Sequence, residues 1–132
     1  MNRIMILFGV LLLIASAAVP SSRAVGEPAL KIAVACDGET LEAQVINKGP
    51  RGQYLQFFDK KGNLLEVCEN PYWEQVGGAG VNCADFIAEK GATVFVAGMV
   101  GSKMEEALDR NQITFKSFQG TVNEAVAFVL DL

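Results

Sequence analysis

The sequence predicts an α/β protein with a three-layer α/β/α arrangement and a mixed sheet. Short apolar runs bounded by turn residues alternate, in the second half of the chain, with segments whose apolar residues recur at helical spacing. Two further apolar runs that flank a glycine turn come before this alternation. Because crossovers between parallel strands are right-handed, the alternating part places helices on both faces of a mainly parallel sheet, and the hairpin adds an antiparallel strand.

The first strand is predicted at residues 30–36, where the apolar run LKIAVAC ends at Asp37-Gly38. A short apolar run that enters a tight turn is typical of a buried strand. Residues 41–46 are predicted as an extended edge piece. The following loop, residues 47–52, is rich in turn residues and carries two positive charges.

Strands two and three form the predicted hairpin. Residues 53–59 and 63–68 are apolar runs on either side of Lys60-Lys61-Gly62. A glycine in this place supplies the positive φ that a tight hairpin turn needs. The hairpin therefore brings these two strands together as antiparallel neighbours.

The second half alternates helices and strands. The predicted elements are a helix at 81–90 closed by Gly91, a strand at 93–99, a helix at 102–110, a strand at 113–118 and a final helix capped by Thr121. The inward stripe of the first helix is Gly80, Cys83, Ala84 and Ile87, with Ala88 at its edge. Cys83 is thus expected to face the sheet.

Composition excludes several classes of function. The chain has 132 residues, a net charge of −4 and no histidine, and its sequence pI is about 4.8. An acidic chain lacks the basic footprint that grips a phosphate backbone, so we expect no nucleic-acid partner. Without histidine the chain has no histidine-based triad, no imidazole metal ligand and no neutral-pH proton shuttle. A non-enzymatic protein is the prediction.

Residues 1–24 have the layout of a secretory signal peptide. Arg3 precedes an uncharged run over residues 4–19, and small residues at Ser22 and Ala24 suit a cleavage site after Ala24. The apolar run is shorter than the roughly 20 residues that span a bilayer. We therefore predict a periplasmic or secreted mature domain, residues 25–132, with no stable membrane insertion after cleavage. An uncleaved membrane anchor is the alternative.

Glycine-containing loops converge at one edge of the predicted sheet. In an open α/β sheet, ligands bind outside the carboxyl ends of the parallel strands. Glycines let the backbone approach a ligand, and helix N-termini favour anions. The candidate contacts are Cys36, Asp37, Gly38, Gly78, Ala79, Gly80, Gly98, Gly101, Gly120 and Thr121. Arg51, with Lys48 beside it on the 47–52 loop, adds positive charge. Plain turn chemistry is the alternative for each glycine.

Four segments resemble one known family. They are KIAVACDG, VINKGPRGQYLQFFD, GGAGVNCADFIAEKGATVFVAGMVGSKMEEAL and ITFKSFQGTVNEAV. Over nearly the whole mature chain these segments resemble the dinitrogenase iron-molybdenum cofactor biosynthesis family, the NifX-like domains. The most specific parts are Gly78-Ala79-Gly80, the AGMVG at 97–101 and the GTVNEAV at 120–126. The resemblance implies a ribonuclease H-like fold.

The resemblance also implies a non-catalytic function. It suggests a domain that binds or carries an anionic metal-sulfur cluster containing molybdenum, iron or copper, in exchange with a donor or acceptor protein. Many members carry a histidine or arginine followed by Phe-Gly-Arg where this chain has Lys48, Gly49, Pro50 and Arg51. The arginine is shared, and attachment of a cluster through histidine is excluded here.

The cysteines are the remaining candidate metal ligands. Thiolates are soft donors that suit copper(I), zinc and iron-sulfur species. Cys36, at the end of the first strand, and Cys83, early in the first helix, are expected to approach each other, and Cys68 is interpreted as structural. The alternatives are that Cys36 and Cys83 are small core residues, or that the chain is a cysteine-based metal chaperone or thiol-redox protein.

Overall fold

The structure is a computed structural model that describes residues 29–132. The predicted signal peptide, residues 1–24, lies outside the described residues. The strands are β1 (Lys31–Cys36), β2 (Tyr54–Asp59), β3 (Leu64–Glu69), β4 (Val94–Ala97) and β5 (Thr114–Ser117). The helices are α1 (Ala79–Glu89), α2 (Ser102–Arg110) and α3 (Val122–Leu130), and a 3-10 turn covers Gly49–Arg51.

The strands form one sheet in the order β3-β2-β1-β4-β5. β1 pairs in parallel with β4, and β4 pairs in parallel with β5. The hairpin strands β2 and β3 pair antiparallel with each other, and β2 also pairs antiparallel with β1. The predicted mixed sheet is confirmed, although its parallel part is limited to three strands.

The two faces of the sheet build two separate cores. Ala33 and Ala35 of β1 point to the face that α1 and α2 cover. Ile32 and Val34 point to the opposite face, which α3 covers. This alternation follows from the period of two along a strand that is buried on both faces. It confirms the predicted three layers.

Most predicted elements occur at the predicted places. α2 covers the predicted residues 102–110, and α1 begins two residues earlier than predicted, at Ala79. Gly62 has a φ of 85°, as the hairpin turn requires. Residues 41–46 make only isolated bridges and no strand. Val45 and Ile46 contact the end of β1, and the carbonyls of Leu41 and Ala43 accept hydrogen bonds from the first turn of α3.

Among residues 29–132, no helix has the length and apolar character needed to cross a membrane.

Candidate functional site

The carboxyl ends of β1, β4 and β5 lie at one edge of the sheet, because these strands are parallel. The antiparallel register adds the start of β2 and the end of β3 to the same edge, since Cys36 pairs with Tyr54 and Tyr54 pairs with Glu69. Loops 37–53, 70–78, 98–101 and 118–121 therefore meet there. We call this edge the rim.

Two of the rim loops are joined by backbone hydrogen bonds. Gly98 N donates to Ile46 O at 2.9 Å, Met99 N donates to Asn47 O at 2.6 Å, and Gly49 N donates to Met99 O at 2.8 Å. A Cβ on Gly98 would lie 2.6 Å from Asn47 Oδ1 and 2.8 Å from its Cα. Gly98 is therefore required for the close packing of the two loops.

A cavity of about 230 Å³ opens beside the joined loops. Its lining residues are Lys48, Pro50, Arg51, Met99, Val100 and Gly101. Lys48 and Arg51 are exposed, and the Met99 side chain is 51% exposed. The titratable side chains in this lining are both cations, so the cavity presents positive charge and one thioether to solvent.

The start of α2 faces this cavity with unsatisfied donors. Gly101 is the N-cap and provides no side-chain cap. Glu105 N donates to Gly101 O at 2.9 Å. Among the described residues, the N–H groups of Ser102, Lys103 and Met104 have no acceptor. A Cβ on Gly101 would meet nothing within 4 Å, so the space in front of the helix start is open.

The start of α1 is uncapped in the same way. Gly78 is its N-cap in the left-handed region, with φ 76° and ψ 2°. Asn82 N donates to Gly78 O at 3.0 Å, and within residues 29–132 the N–H groups of Ala79, Gly80 and Val81 find no acceptor. A Cβ on Gly80 would lie 2.8 Å from Met104 Cβ. The positive ends of two helix dipoles are therefore adjacent, which favours an anion.

Arg51 connects the cavity to the loop before α1. Its Nη1 donates to Trp73 O at 3.1 Å and to Gln75 O at 2.7 Å. Arg51 Nε and Nη2 have no partner among the described residues. A guanidinium carries five N–H donors in a fixed fork, so these atoms remain able to bind an anion.

Asn70 fixes the loops on either side of Arg51. This side chain is fully buried, and its Nδ2 donates to Pro50 O at 3.0 Å and to Gly52 O at 2.9 Å. Its Oδ1 accepts from Tyr72 N at 3.0 Å. A satisfied buried amide of this kind rigidifies its surroundings. Asn70 therefore sets the position of Arg51 relative to the cavity.

The start of α3, in contrast, is already satisfied. Val122 N donates to Ala43 O at 2.9 Å, and Asn123 N donates to Leu41 O at 3.0 Å. Thr121 Oγ1 accepts from Glu124 N at 3.1 Å, and the Glu124 carboxylate accepts from Thr121 N at 3.0 Å. This reciprocal pair is a capping box. Thr121 and the adjoining Gly120 therefore serve the helix cap and leave no N–H of this turn for a ligand.

Cys36, Asp37 and Gly38 hold the 37–45 loop on the α3 side. The Cys36 thiol donates to Gly38 O at 3.2 Å, and Gln56 Nε2 donates to the same oxygen at 3.2 Å and to Thr40 O at 2.8 Å. Asp37 Oδ1 accepts from Gln44 N at 2.9 Å. Burial is the main reason that the pKa of Cys36 is raised. This thiol is thus neutral, and its hydrogen bond to Gly38 O holds it within the loop.

Cys36 and Cys83 lie on opposite faces of the sheet, which corrects the expectation that they approach each other. Cys36 belongs to the core under α3, and Cys83 belongs to the core under α1 and α2. Both are fully buried, and burial raises the pKa of Cys83 to about 12. Residues 29–132 contain no group of three or more Cys, Asp or Glu side chains able to hold a metal ion.

The structure thus divides the predicted site residues into two groups. Arg51, Gly78, Ala79, Gly80 and Gly101 surround the cavity or the helix starts beside it, with Gly98 packed behind. The residues on the α3 side are Cys36, Asp37, Gly38, Gly120 and Thr121. Sequence reasoning missed Met99 and Val100. Their signal was an apolar pair between two glycines directly after a buried strand.

The fold and the cavity define a class of protein: an α/β/α domain with an anion-favouring pocket at the carboxyl edge of its sheet. The sequence model of the family described as dinitrogenase iron-molybdenum cofactor matches residues 30–131. The chain belongs to this family. A comparison with curated proteins gave no match.

Solved structures share the fold. The apo form of the orange protein from Desulfovibrio gigas is similar at 29% identity and a TM-score of 0.73, covering 80% of this chain and 91% of that one. A Thermotoga protein provisionally named as NifB is also 29% identical, with a TM-score of 0.66, covering 76% of this chain and 87% of that one. A provisionally named dinitrogenase from Methanocaldococcus jannaschii shares the fold at 8% identity and a TM-score of 0.57, covering 80% and 91% of the two chains.

Proposed function

We propose that this protein is a non-catalytic binding or carrier protein for an anionic metal-sulfur cluster containing molybdenum, iron or copper. The family description names an iron-molybdenum cofactor. The similar orange protein was solved in its apo form, which indicates that it takes a ligand. Both findings support a cofactor-binding function, and the chemistry of the cavity supports an anion.

The observation that carries the proposal is the cavity between Lys48, Arg51 and Gly101, beside two uncapped helix starts. Two cationic side chains and unsatisfied backbone N–H groups stabilise negative charge without a metal ligand. A cluster whose metal sites are already filled by sulfide needs hydrogen-bond donors and positive charge. The lack of a thiolate or imidazole in the cavity lining therefore fits a preformed anionic cluster.

The same lining supports a non-catalytic function. General acid-base catalysis needs a group that accepts or donates a proton near neutral pH. The titratable residues of the cavity lining are Lys48 and Arg51. Met99 contributes a soft thioether that suits contact with a sulfide-rich surface. Binding and release of a cluster use all of these groups without any bond-breaking step.

Export and exchange complete the proposal. Residues 1–24 are proposed to direct the chain to the periplasm or outside the cell, and a cofactor donor or acceptor protein is its proposed partner. The test is the mass of the protein recovered from its native host. A mature chain beginning at Val25 is expected, and an intact N-terminus on cytoplasmic protein would contradict export.

The binding test is anaerobic titration with tetrathiomolybdate, followed by native mass spectrometry. The wild-type protein is expected to bind this anion more tightly than sulfate. Each lost charge-assisted contact is worth roughly 1.5–3 kcal/mol, so Lys48→Ala and Arg51→Ala should each weaken binding about tenfold or more. Lys60→Ala, in the hairpin turn at the opposite edge, is the matched charge control. Equal affinities in all four proteins would contradict the assigned site.

Two cysteine variants test the alternative that the cysteines carry the function. Cys36→Ala and Cys83→Ala are expected to leave tetrathiomolybdate affinity within about twofold, because neither thiol lines the cavity. Circular dichroism would verify that each variant is folded. Loss of binding in a folded variant would instead favour a cysteine-based metal chaperone or thiol-redox protein.

A further inference from the structure

The loop segment Trp73–Gly78 lies beside the cavity and is weakly attached to the rest of the molecule. Val76 is 94% exposed, and Gly77 and Gly78 are exposed. Inside the loop, Gln75 N donates to Tyr72 O at 3.1 Å and Gln75 Nε2 donates to Gly77 O at 2.8 Å. Among the described residues, Arg51 is the side chain from outside the loop that hydrogen-bonds to this segment.

Two consecutive glycines join this segment to α1. Gly77 and Gly78 both have a φ of 76°, a conformation that other residues adopt at a cost. A Cβ on Gly77 would meet nothing within 4 Å, so packing does not hold the backbone there. Gly78 is the N-cap of α1, and its conformation sets the direction of the unsatisfied N–H groups beside the cavity. The backbone conformation of Gly78 therefore affects both the position of the segment and the direction of the N–H groups at the site.

One guanidinium touches both the segment and the cavity. Arg51 uses Nη1 for the carbonyls of Trp73 and Gln75, and it also lines the cavity. Its planar fork is rigid, so an anion held by Nη2 and Nε fixes the orientation of Nη1. Ligand binding thus has a direct physical route to the segment.

We propose that Trp73–Gly78 is a lid whose attachment is tightened by an anion in the cavity, with Arg51 as the positioning residue that couples the two. The proposal rests on the proposed anion site. Coupling between two sites is reciprocal. An anion that strengthens the attachment of the lid is therefore bound more weakly when the lid is loosened by a change that does not touch the cavity.

The test is amide hydrogen exchange, read by mass spectrometry, with and without saturating tetrathiomolybdate. In the wild type the anion should slow exchange in a peptide covering residues 73–79 at least threefold, and the loop at residues 37–45 should be unchanged. Arg51→Lys keeps the positive charge but loses the planar guanidinium, whose several N–H donors can contact the anion and the loop carbonyls together. At ligand concentrations that give the same occupancy by native mass spectrometry, this variant should show no slowing.

A lid variant tests the reciprocal effect. Gly77→Ala disfavours the left-handed conformation without adding a contact, and it should weaken tetrathiomolybdate binding about fivefold or more. Val76→Ser, at the exposed tip, is the matched control and should leave affinity unchanged. Binding by the wild type with unchanged exchange at 73–79, or equal slowing in Arg51→Lys, would overturn the lid. Absence of binding in the wild type would overturn the proposed function itself.

Discussion

Gly80 of α1 packs directly against Met104 of α2, and a Cβ at Gly80 would lie 2.8 Å from Met104 Cβ. This close approach places the uncapped starts of the two helices next to each other. Separate helix starts would each offer a weak, solvent-screened dipole. The glycine is therefore what allows two partial positive charges to act on the same ligand.

Gly80→Ala should destabilise the protein and weaken anion binding. Alanine gains about 1 kcal/mol of helix propensity over glycine, but overpacking at a close contact costs about 1–3 kcal/mol. We expect a net loss of up to about 2 kcal/mol in the free energy of unfolding, measured by urea titration. Gly101→Ala, where a Cβ meets nothing within 4 Å, is the control. Equal effects of both substitutions on stability would refute the packing argument.

Gly101→Ser should separate stability from binding. A serine N-cap accepts a hydrogen bond from the first turn of α2 and stabilises a helix by a few tenths of a kcal/mol relative to glycine. The serine hydroxyl would accept a hydrogen bond from one N–H group that faces the cavity, so this N–H group could no longer bind the anion. We expect an unchanged or slightly higher unfolding free energy and weaker tetrathiomolybdate binding by titration. Binding as tight as in the wild type would show that this helix start does not contact the anion.

Gln56→Glu should make stability depend on pH. Gln56 is fully buried, and its Nε2 donates to Gly38 O and Thr40 O. A glutamate there has a raised pKa in the folded state. The variant therefore keeps its stability below the unfolded-state pKa of about 4.3 and loses stability as the pH rises above it. At pH 7 we expect a loss of about 3 kcal/mol or more.

Urea unfolding at pH 4 and pH 7 checks this expectation. Gln119→Glu, at an exposed position, is the control for the added charge and should show little difference between the two pH values. A Gln56→Glu variant as stable at pH 7 as at pH 4 would contradict the buried environment.

Cys83 should make the protein lose stability at alkaline pH. Burial raises its pKa from the ordinary 9.0 to about 12, so the folded state keeps a proton that the unfolded state releases. Stability therefore falls as pH rises from 9 towards 12, on the order of 2 kcal/mol by pH 10.5. Urea unfolding of wild type and Cys83→Ala would show a steeper slope in the wild type, because the raised pKa of Cys36 contributes in both proteins. Parallel curves would exclude the contribution of Cys83.

The spacing of apolar residues along the chain was enough to predict the order and type of the secondary-structure elements. Residues 102–110 carry a helical stripe of Met104, Ala107 and Leu108, and α2 has these limits and this buried face. Residues 41–46 were the main difference, because the carbonyls of Leu41 and Ala43 accept hydrogen bonds from the first turn of α3 and the segment makes only isolated bridges to β1. Hydropathy along the chain carries no information about which distant N–H group will use a carbonyl.

The sequence predicted only part of the candidate site, because the site also depends on hydrogen bonds between residues that are distant in the chain. Glycine-containing helix starts were visible in the sequence, and Thr121 was predicted to cap the last helix, but the sequence did not show which of the helix starts remain open to a ligand. The structure shows that the start of α3 is satisfied by the 37–45 loop, while those of α1 and α2 are not. It also places Met99 and Val100 in the cavity lining.

The sequence by itself determined the α/β/α architecture, because local hydrophobic period and turn chemistry act over a few residues at a time. The tertiary structure decided which groups share a site. The alternation along β1 points Cys36 to the face that α3 covers, whereas Cys83 lies on α1, which packs on the opposite face of the sheet. Loop pairing brings Arg51 to the uncapped starts of α1 and α2. These relationships depend on contacts between residues far apart in the chain, and such contacts exist only once the sheet has formed.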